Sequence, residues 1–164
     1  MATKTITHNV NHIAIAVPDI KAAVKWYVDV LGAEELRPIG IHDRNENPHA
    51  PIFKIYPANL NRVRIACLTT GNGVGLELFQ FEDPKIEPGS EAKFERDISR
   101  GGFFHMAFTT DDIDGLTEKI VKNGGKVLGE KVPIYEHEAV YVEDPWGNVV
   151  ELLSASFERI MSNR

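Results

Sequence analysis

The chain has 164 residues, 43% of them hydrophobic and 26% charged, an ordinary make-up for a folded protein long enough to bury a core without staples. Its formal net charge of −6 disfavours nucleic acid and anionic membrane surfaces as partners. Cys67 is the only cysteine, which excludes an internal disulfide and dithiol or paired-thiolate metal chemistry, and no apolar run suits a membrane span or a secretory leader, so a cytoplasmic protein is expected.

In chain order, Asn9 to Val17 alternates as a strand, with His12, Ala14 and Ala16 on one face. Pro18-Asp19 then opens a helix. Asp19 is its N-cap, Ile20, Val24, Tyr27 and Leu31 follow at helical spacing, and Gly32 ends it. A strand is expected near Ala33 to Arg37, and Gly40 to Asn61 is less regular. Val63 to Leu68 and Val74 to Phe81 form a hairpin about Thr70-Gly71-Asn72-Gly73. A connector follows from Asp83 to Gly102, with a short helix between Ser90 and Ile98. Phe103 to Thr109 is then a strand, with His105, Ala107 and Thr109 on one face. Asp111-Asp112 caps a second helix, which Asn123-Gly124-Gly125 stops. Strands near Lys126 to Gly129 and Ala139 to Glu143 precede the turn Asp144-Pro145-Trp146-Gly147-Asn148 and a last strand, Val149 to Leu153.

The two halves repeat. At an offset of 93, His12 falls on His105, Ala14 on Ala107, Asp19 on Asp112 and Gly32 on Gly125. The closing strands correspond as well, Gly-Leu-Glu77-Leu-Phe against Val-Val-Glu151-Leu-Leu, with about 19 extra residues in the first half, most simply within Gly40 to Asn61. The fold expected is α+β: two paired β-α-β-β-β modules forming a curved, cupped mixed sheet with helices outside. The single domain spans 9–154, with module 1 at about 9–82, a linker at about 83–101, module 2 at about 102–154, and a tail at 155–164.

Glu151 is a carboxylate inside an apolar strand, and buried charge is costly unless it is paired or bound to a metal. The repeat supplies partners, since each copy carries a histidine in its first strand and a glutamate in its last. If pseudo-twofold pairing brings these strands together, His12, Glu77, His105 and Glu151 converge. Two neutral imidazoles and two carboxylates make a formally neutral site for one divalent ion, and Zn, Ni, Co, Mn and Fe all remain open. Elsewhere, Arg62 and Arg64 alternate toward one face and could hold an acidic substrate group. His42, Asp43, Arg44, Glu46 and His49 lie in a segment that is either a lid or a solvated loop. Tyr135 and His137 are candidates to line a pocket, and His8 reads as surface.

Asn11-His12-Ile13-Ala14-Ile15-Ala16-Val17-Pro18-Asp19, Trp26-Tyr27 before Val30-Leu31-Gly32, Phe104-His105-Met106-Ala107-Phe108 and Asp144-Pro145-Trp146-Gly147 through Glu151-Leu152 resemble the motifs of the vicinal oxygen chelate superfamily. Glyoxalase I, methylmalonyl-CoA epimerase, extradiol dioxygenases and the fosfomycin and bleomycin resistance proteins belong to it. The resemblance covers about Asn9 to Ser154. It implies a metal-dependent isomerase, epimerase or lyase that abstracts a proton beside a metal-chelated carbonyl of a small-molecule substrate, with Glu77 or Glu151 as base, and a homodimer. Alternatives are an Fe(II) ring-cleaving dioxygenase using His12, His105 and Glu151, and a non-catalytic binding protein of the resistance type. Where the resemblance to glyoxalase I calls for glutathione-contacting arginine and asparagine, this chain has Ala16 and Phe81, so a glutathione-linked substrate is not expected.

Overall fold

Asp19 and Gly32 set the limits of the first helix as their chemistry requires. In the computed structural model, which describes residues 8–87, 90 and 92–162, the Asp19 carboxylate accepts hydrogen bonds from the backbone N–H groups of Lys21 and Ala22. Gly32 takes φ +71°, the left-handed conformation that closes a helix cheaply only without a Cβ. Among the described residues the chain order is β1 (His12–Ala16), α1 (Ile20–Leu31), β2 (Glu34–Asp43), α2 (Ile52–Ile55), β3 (Arg62–Thr69) and β4 (Gly75–Asp83). Then come α3 (Phe94–Asp97), β5 (His105–Thr109), α4 (Ile113–Lys122), β6 (Lys126–Ile134), β7 (His137–Glu143), β8 (Val149–Leu153) and α5 (Phe157–Met161). The chain divides into two compact units, with the boundary between Ile86 and Glu87. Each carries one mixed four-stranded sheet, ordered β1-β4-β3-β2 in the first unit and β5-β8-β7-β6 in the second. The α+β class and the repeated β-α-β-β-β order are those expected.

In the first unit β1 runs parallel to β4, and β4-β3-β2 are antiparallel. Ile20, Ala23, Val24, Tyr27 and Val30 form the buried stripe of α1, which packs on β3 and β4, where Ala66, Leu68 and Leu78 are fully buried. Gln80 reinforces the join, its side-chain oxygen accepting from the Ile20 N–H at 3.0 Å. β2 continues to Asp43, well beyond the expected end near Arg37. It is an edge strand, and an edge tolerates Pro38, which has no N–H to give to a partner. β6, the matching edge of the second sheet, outruns its expected end at Gly129 and contains Pro133 for the same reason.

The irregular segment after β2 is anchored. Ala50, Ile52, Phe53 and Leu60 form one core cluster with Val63, Ile65 and Phe79, and Tyr56 and Phe81 pack against it. The Arg44 guanidinium lies 4.4 Å from the centre of the Phe53 ring and donates to the Leu60 carbonyl at 2.8 Å. Glu46 and His49 remain exposed. In the second unit the Asp112 carboxylate caps α4 through the Gly115 N–H at 2.8 Å, and Ile113 and Ile120 are its buried residues. Part of the expected tail, Phe157–Met161, is helical. Ser156 caps α5, whose Ile160 is fully buried in a cluster with Ala139, Leu153 and Ala155. Among the described residues no helix is long and apolar enough to cross a membrane.

Candidate functional site

The parallel pairing of first and last strand is what brings each histidine to its glutamate. In the first unit Ala14 lies opposite Glu77 and His12 opposite Gly75, so His12 and Glu77 are diagonal neighbours on one face. In the second unit Ala107 lies opposite Glu151 and His105 opposite Val149, the same arrangement. The result is identical in both: Nε2 of His12 is 3.4 Å from Glu77 Oε2, and Nε2 of His105 is 3.4 Å from Glu151 Oε2. Gly75 gives His12 its room, since a Cβ there would sit 3.2 Å from the His12 Cβ. The first pair is the wetter, with the His12 side chain 48% exposed against 27% for His105. Within neither unit does a third His, Cys, Asp or Glu complete a metal-binding cluster among the described residues.

These donors suit a divalent ion. At 3.4 Å each contact is longer than an aligned charge-assisted hydrogen bond. It is also the spacing of two ligands on one cation, because donors about 2.1 Å from a zinc-sized ion lie roughly 3.0–3.4 Å apart in octahedral or tetrahedral geometry. His12 Nδ1 is 2.8 Å from Asn11 Oδ1, and a proton on Nδ1 there would leave the Nε2 lone pair available to a metal ion. His105 Nδ1 is buried without a hydrogen-bond partner, and that ring is instead held edge-on between Phe104 and Tyr141, with centroids at 4.5 Å and 5.4 Å.

The two glutamates differ in their cross-strand neighbours, which sequence reasoning missed. Tyr141 is paired with Glu151. Burial first, then the Glu151 charge and hydrogen bond, raise the Tyr141 pKa above the ordinary phenol value, so its O–H stays protonated as a donor. The equivalent neighbour of Glu77 is Cys67, whose Sγ is 3.9 Å from Glu77 Oε1. Both pairings follow from counting outward from the hairpin turns, so the signal was present in the sequence.

Arg62 and Arg64 are held in ion pairs with acidic side chains of their own sheet. Arg64 pairs with Gln80 on the face covered by α1, and its Nε donates to Glu82 at 2.7 Å. Arg62 bridges Glu82 at 2.7 Å and Asp43 at 2.6 Å. Glu82 is held below the ordinary carboxylate range chiefly by the Arg62 hydrogen bond, then by Arg64. Asp43 is lowered first by the Asn45 N–H and then by Arg62. His42 sits in β2 opposite Val63, and His8 is exposed. Tyr135 is 72% exposed in the β6–β7 turn at φ +56°, and His137 pairs with Ile134 at the start of β7.

Residues 9–152 match the family model described as the Glyoxalase/Bleomycin resistance protein/Dioxygenase superfamily. The chain is 30% identical over 151 residues to a 2-epi-5-epi-valiolone epimerase from Actinomyces sp., covering 88% of this chain and 78% of that protein. It is 30% identical over 123 residues to an ethylmalonyl-CoA/methylmalonyl-CoA epimerase from Cereibacter sphaeroides, covering 75% and 76% of the two chains. Among solved structures, a glyoxalase family protein from Bacillus cereus superimposes with a TM-score of 0.73 at 21% identity, covering 93% of this chain and 97% of the other, which is a likeness of fold.

Proposed function

Because the chain belongs to the glyoxalase/bleomycin resistance protein/dioxygenase superfamily, we propose that it is a metal-dependent isomerase, epimerase or lyase that moves a proton at a carbon beside a chelated carbonyl. The observation that carries this reading is the recurrence of one His–Glu pair, at one register and one distance, in both sheets. His12, Glu77, His105 and Glu151 would hold a divalent ion. Such an ion, when bound, polarises two neighbouring substrate oxygens and lowers the acidity barrier at the adjacent carbon. The chain's own part is proton transfer: a carboxylate, Glu77 or Glu151, takes the proton from carbon; for isomerisation it returns it to the neighbouring carbon on the same face, and for epimerisation the other carboxylate, in its protonated form, supplies a proton to the opposite face. Tyr141 keeps the Glu151 carboxylate oriented. Ala14 and Ala16, on the face of His12 and Glu77, leave an uncrowded, weakly polar floor. Two relatives at 30% identity are named as epimerases, and inversion by removal and return of a proton is one way to perform such a reaction beside a carbonyl, which favours proton transfer over oxygen chemistry.

The test has two arms. Protein purified without chelator is analysed for metal, and its melting temperature is followed with added divalent ions. Retained or stabilising metal is expected, and protein that holds none and ignores added ions would refute the proposal. Solvent deuterium incorporation at the carbon next to a carbonyl is then followed by NMR with small 2-oxo and 3-oxo compounds. Exchange that vanishes in Glu77→Gln or Glu151→Gln, with metal retained, supports that residue as base. Oxygen uptake with catechols instead of exchange would favour ring cleavage. The homodimer belongs to the same proposal, and light scattering that gives a monomer at working concentration would remove it.

A further inference from the structure

Resting on the function just proposed, we infer that Arg37 is the specificity residue of the first half-site, binding a second, anionic group of the substrate (carboxylate or phosphate) beside the oxygens taken by the His12–Glu77 pair.

The placement comes from a distortion of β2. Glu35 lies opposite Leu68, which faces α1, and strict alternation would send Arg37 to that same face. The pairing instead slips between Glu35 and Arg37, so that Arg37 lies opposite Cys67, and slips again before Gly40, which lies opposite Ile65. Irregularities on both sides of one residue re-aim its side chain, and here they turn a guanidinium from the helix side to the side that carries His12 and Glu77. Arg37, Cys67, Glu77 and Ala14 then form one row across all four strands of the sheet. Arg37 Nη2 donates to Cys67 Sγ at 3.2 Å, and Cys67 Sγ is 3.9 Å from Glu77 Oε1. The guanidinium therefore lies no farther from the Glu77 carboxylate than those two contacts combined.

Its other circumstances fit the role. The arginines of the neighbouring strand are engaged, Arg62 with Asp43 and Glu82 and Arg64 with Glu82. Among the described residues Arg37 has no carboxylate partner, and a thiol is a weak acceptor that leaves the rest of a forked guanidinium to a ligand. A planar array of donors is suited to the paired oxygens of a carboxylate or phosphate. On this reading the substrate is a small acid with chelating oxygens at one end and a second anionic group a few bonds away.

The experiment uses matched probes differing in that group. Calorimetric titrations compare 2-oxoglutarate with 2-oxopentanoate, and 3-phosphoglycerate with glycerate, in wild-type, Arg37→Gln and Arg37→Lys protein. Each is run with and without added Co(II), whose uptake is measured separately. The expected result is a preference of about tenfold for the doubly charged member of at least one pair, the size of a single partly screened charge-assisted contact. That preference weakens with ionic strength, disappears in Arg37→Gln and survives in part in Arg37→Lys, while Co(II) uptake is unchanged in both variants. The pair that shows it distinguishes carboxylate from phosphate. Equal binding within both pairs by wild-type protein, absence of binding by all four probes, or an undiminished preference in Arg37→Gln overturns the inference. Failure to take up Co(II) refutes the metal reading instead, and the metal-free titrations still decide the role of Arg37.

Discussion

The turn that aims Glu151 contains a glycine whose replacement isolates one steric contact. Gly147 has φ +86°, and a Cβ built on it would lie 2.2 Å from the carbonyl oxygen of Ala92. Gly71, in the β3–β4 turn, has φ +85° and nothing within 4 Å of the same position. The two backbones are therefore alike, and only one is crowded. An alanine in the left-handed region costs about 1–2 kcal/mol, offset in part by about 0.4–1 kcal/mol from the reduced freedom of the unfolded chain. Gly71→Ala is expected to lose about 1 kcal/mol or less. Gly147→Ala adds the displacement of a backbone carbonyl, about 1–3 kcal/mol by analogy with overpacking, for about 1–4 kcal/mol in all. In a chain of this size that is a drop in melting temperature of roughly 2–15 °C. Urea unfolding of the two variants beside the wild type measures the difference, and metal uptake in Gly147→Ala reports whether the turn still aims Glu151. Equal losses in the two variants would refute the argument that the Ala92 carbonyl and the turn are in contact.

Further outcomes follow from the packing and charges. Ile160→Ala should cost about 2–4 kcal/mol by urea denaturation, because it empties a fully buried position of α5, and a loss below about 0.5 kcal/mol would show that the C-terminal helix is dispensable. Phe53→Ala should cost about 3–4 kcal/mol and expose residues 44–61 to limited proteolysis, whereas Ile55→Ala, at a side chain 78% exposed, should change stability by no more than about 0.5 kcal/mol. Similar proteolysis of both variants would mean that the segment is not anchored through Phe53. The lowered pKa of Glu82 has a definite sign. Its stabilising contribution is complete above the ordinary glutamate value near ~4.3 and is lost as pH falls through the lower folded value. Glu82→Gln should therefore lower the urea midpoint at pH 7 and converge on wild type as pH drops below about 4, and a gap that widens in acid would contradict the assignment.

Much of this molecule was present in the order of its residues. Period-two and period-3.6 patterns, Asp caps and Gly stops are local physics, so α1, α4 and the two hairpins fall where they should, and the repeat of His12 and Glu77 in His105 and Glu151 singled out these four residues as candidates before any coordinates. Even Tyr141 beside Glu151 and Cys67 beside Glu77 follow from the length of a turn. Tertiary structure decided what depends on neighbours distant in the chain. The parallel contact of β1 with β4 and of β5 with β8 reduces each His–Glu pair to 3.4 Å, and no local pattern encodes a crossover. The edge positions of β2 and β6 let them absorb a proline that reads as a breaker. The buried face offered by Val63, Ile65 and Phe79 turned an irregular polar-looking segment into an anchored one. Above all, which arginine faces the site was not legible. Arg64 kept regular alternation and went to the helix side, Arg62 lies at an irregularity in the β3–β4 pairing and is tied to Asp43 and Glu82, and two slips in the pairing of β2 carried Arg37 across. Register in a bulged edge strand is fixed by the partner strand, not by the sequence of the strand itself.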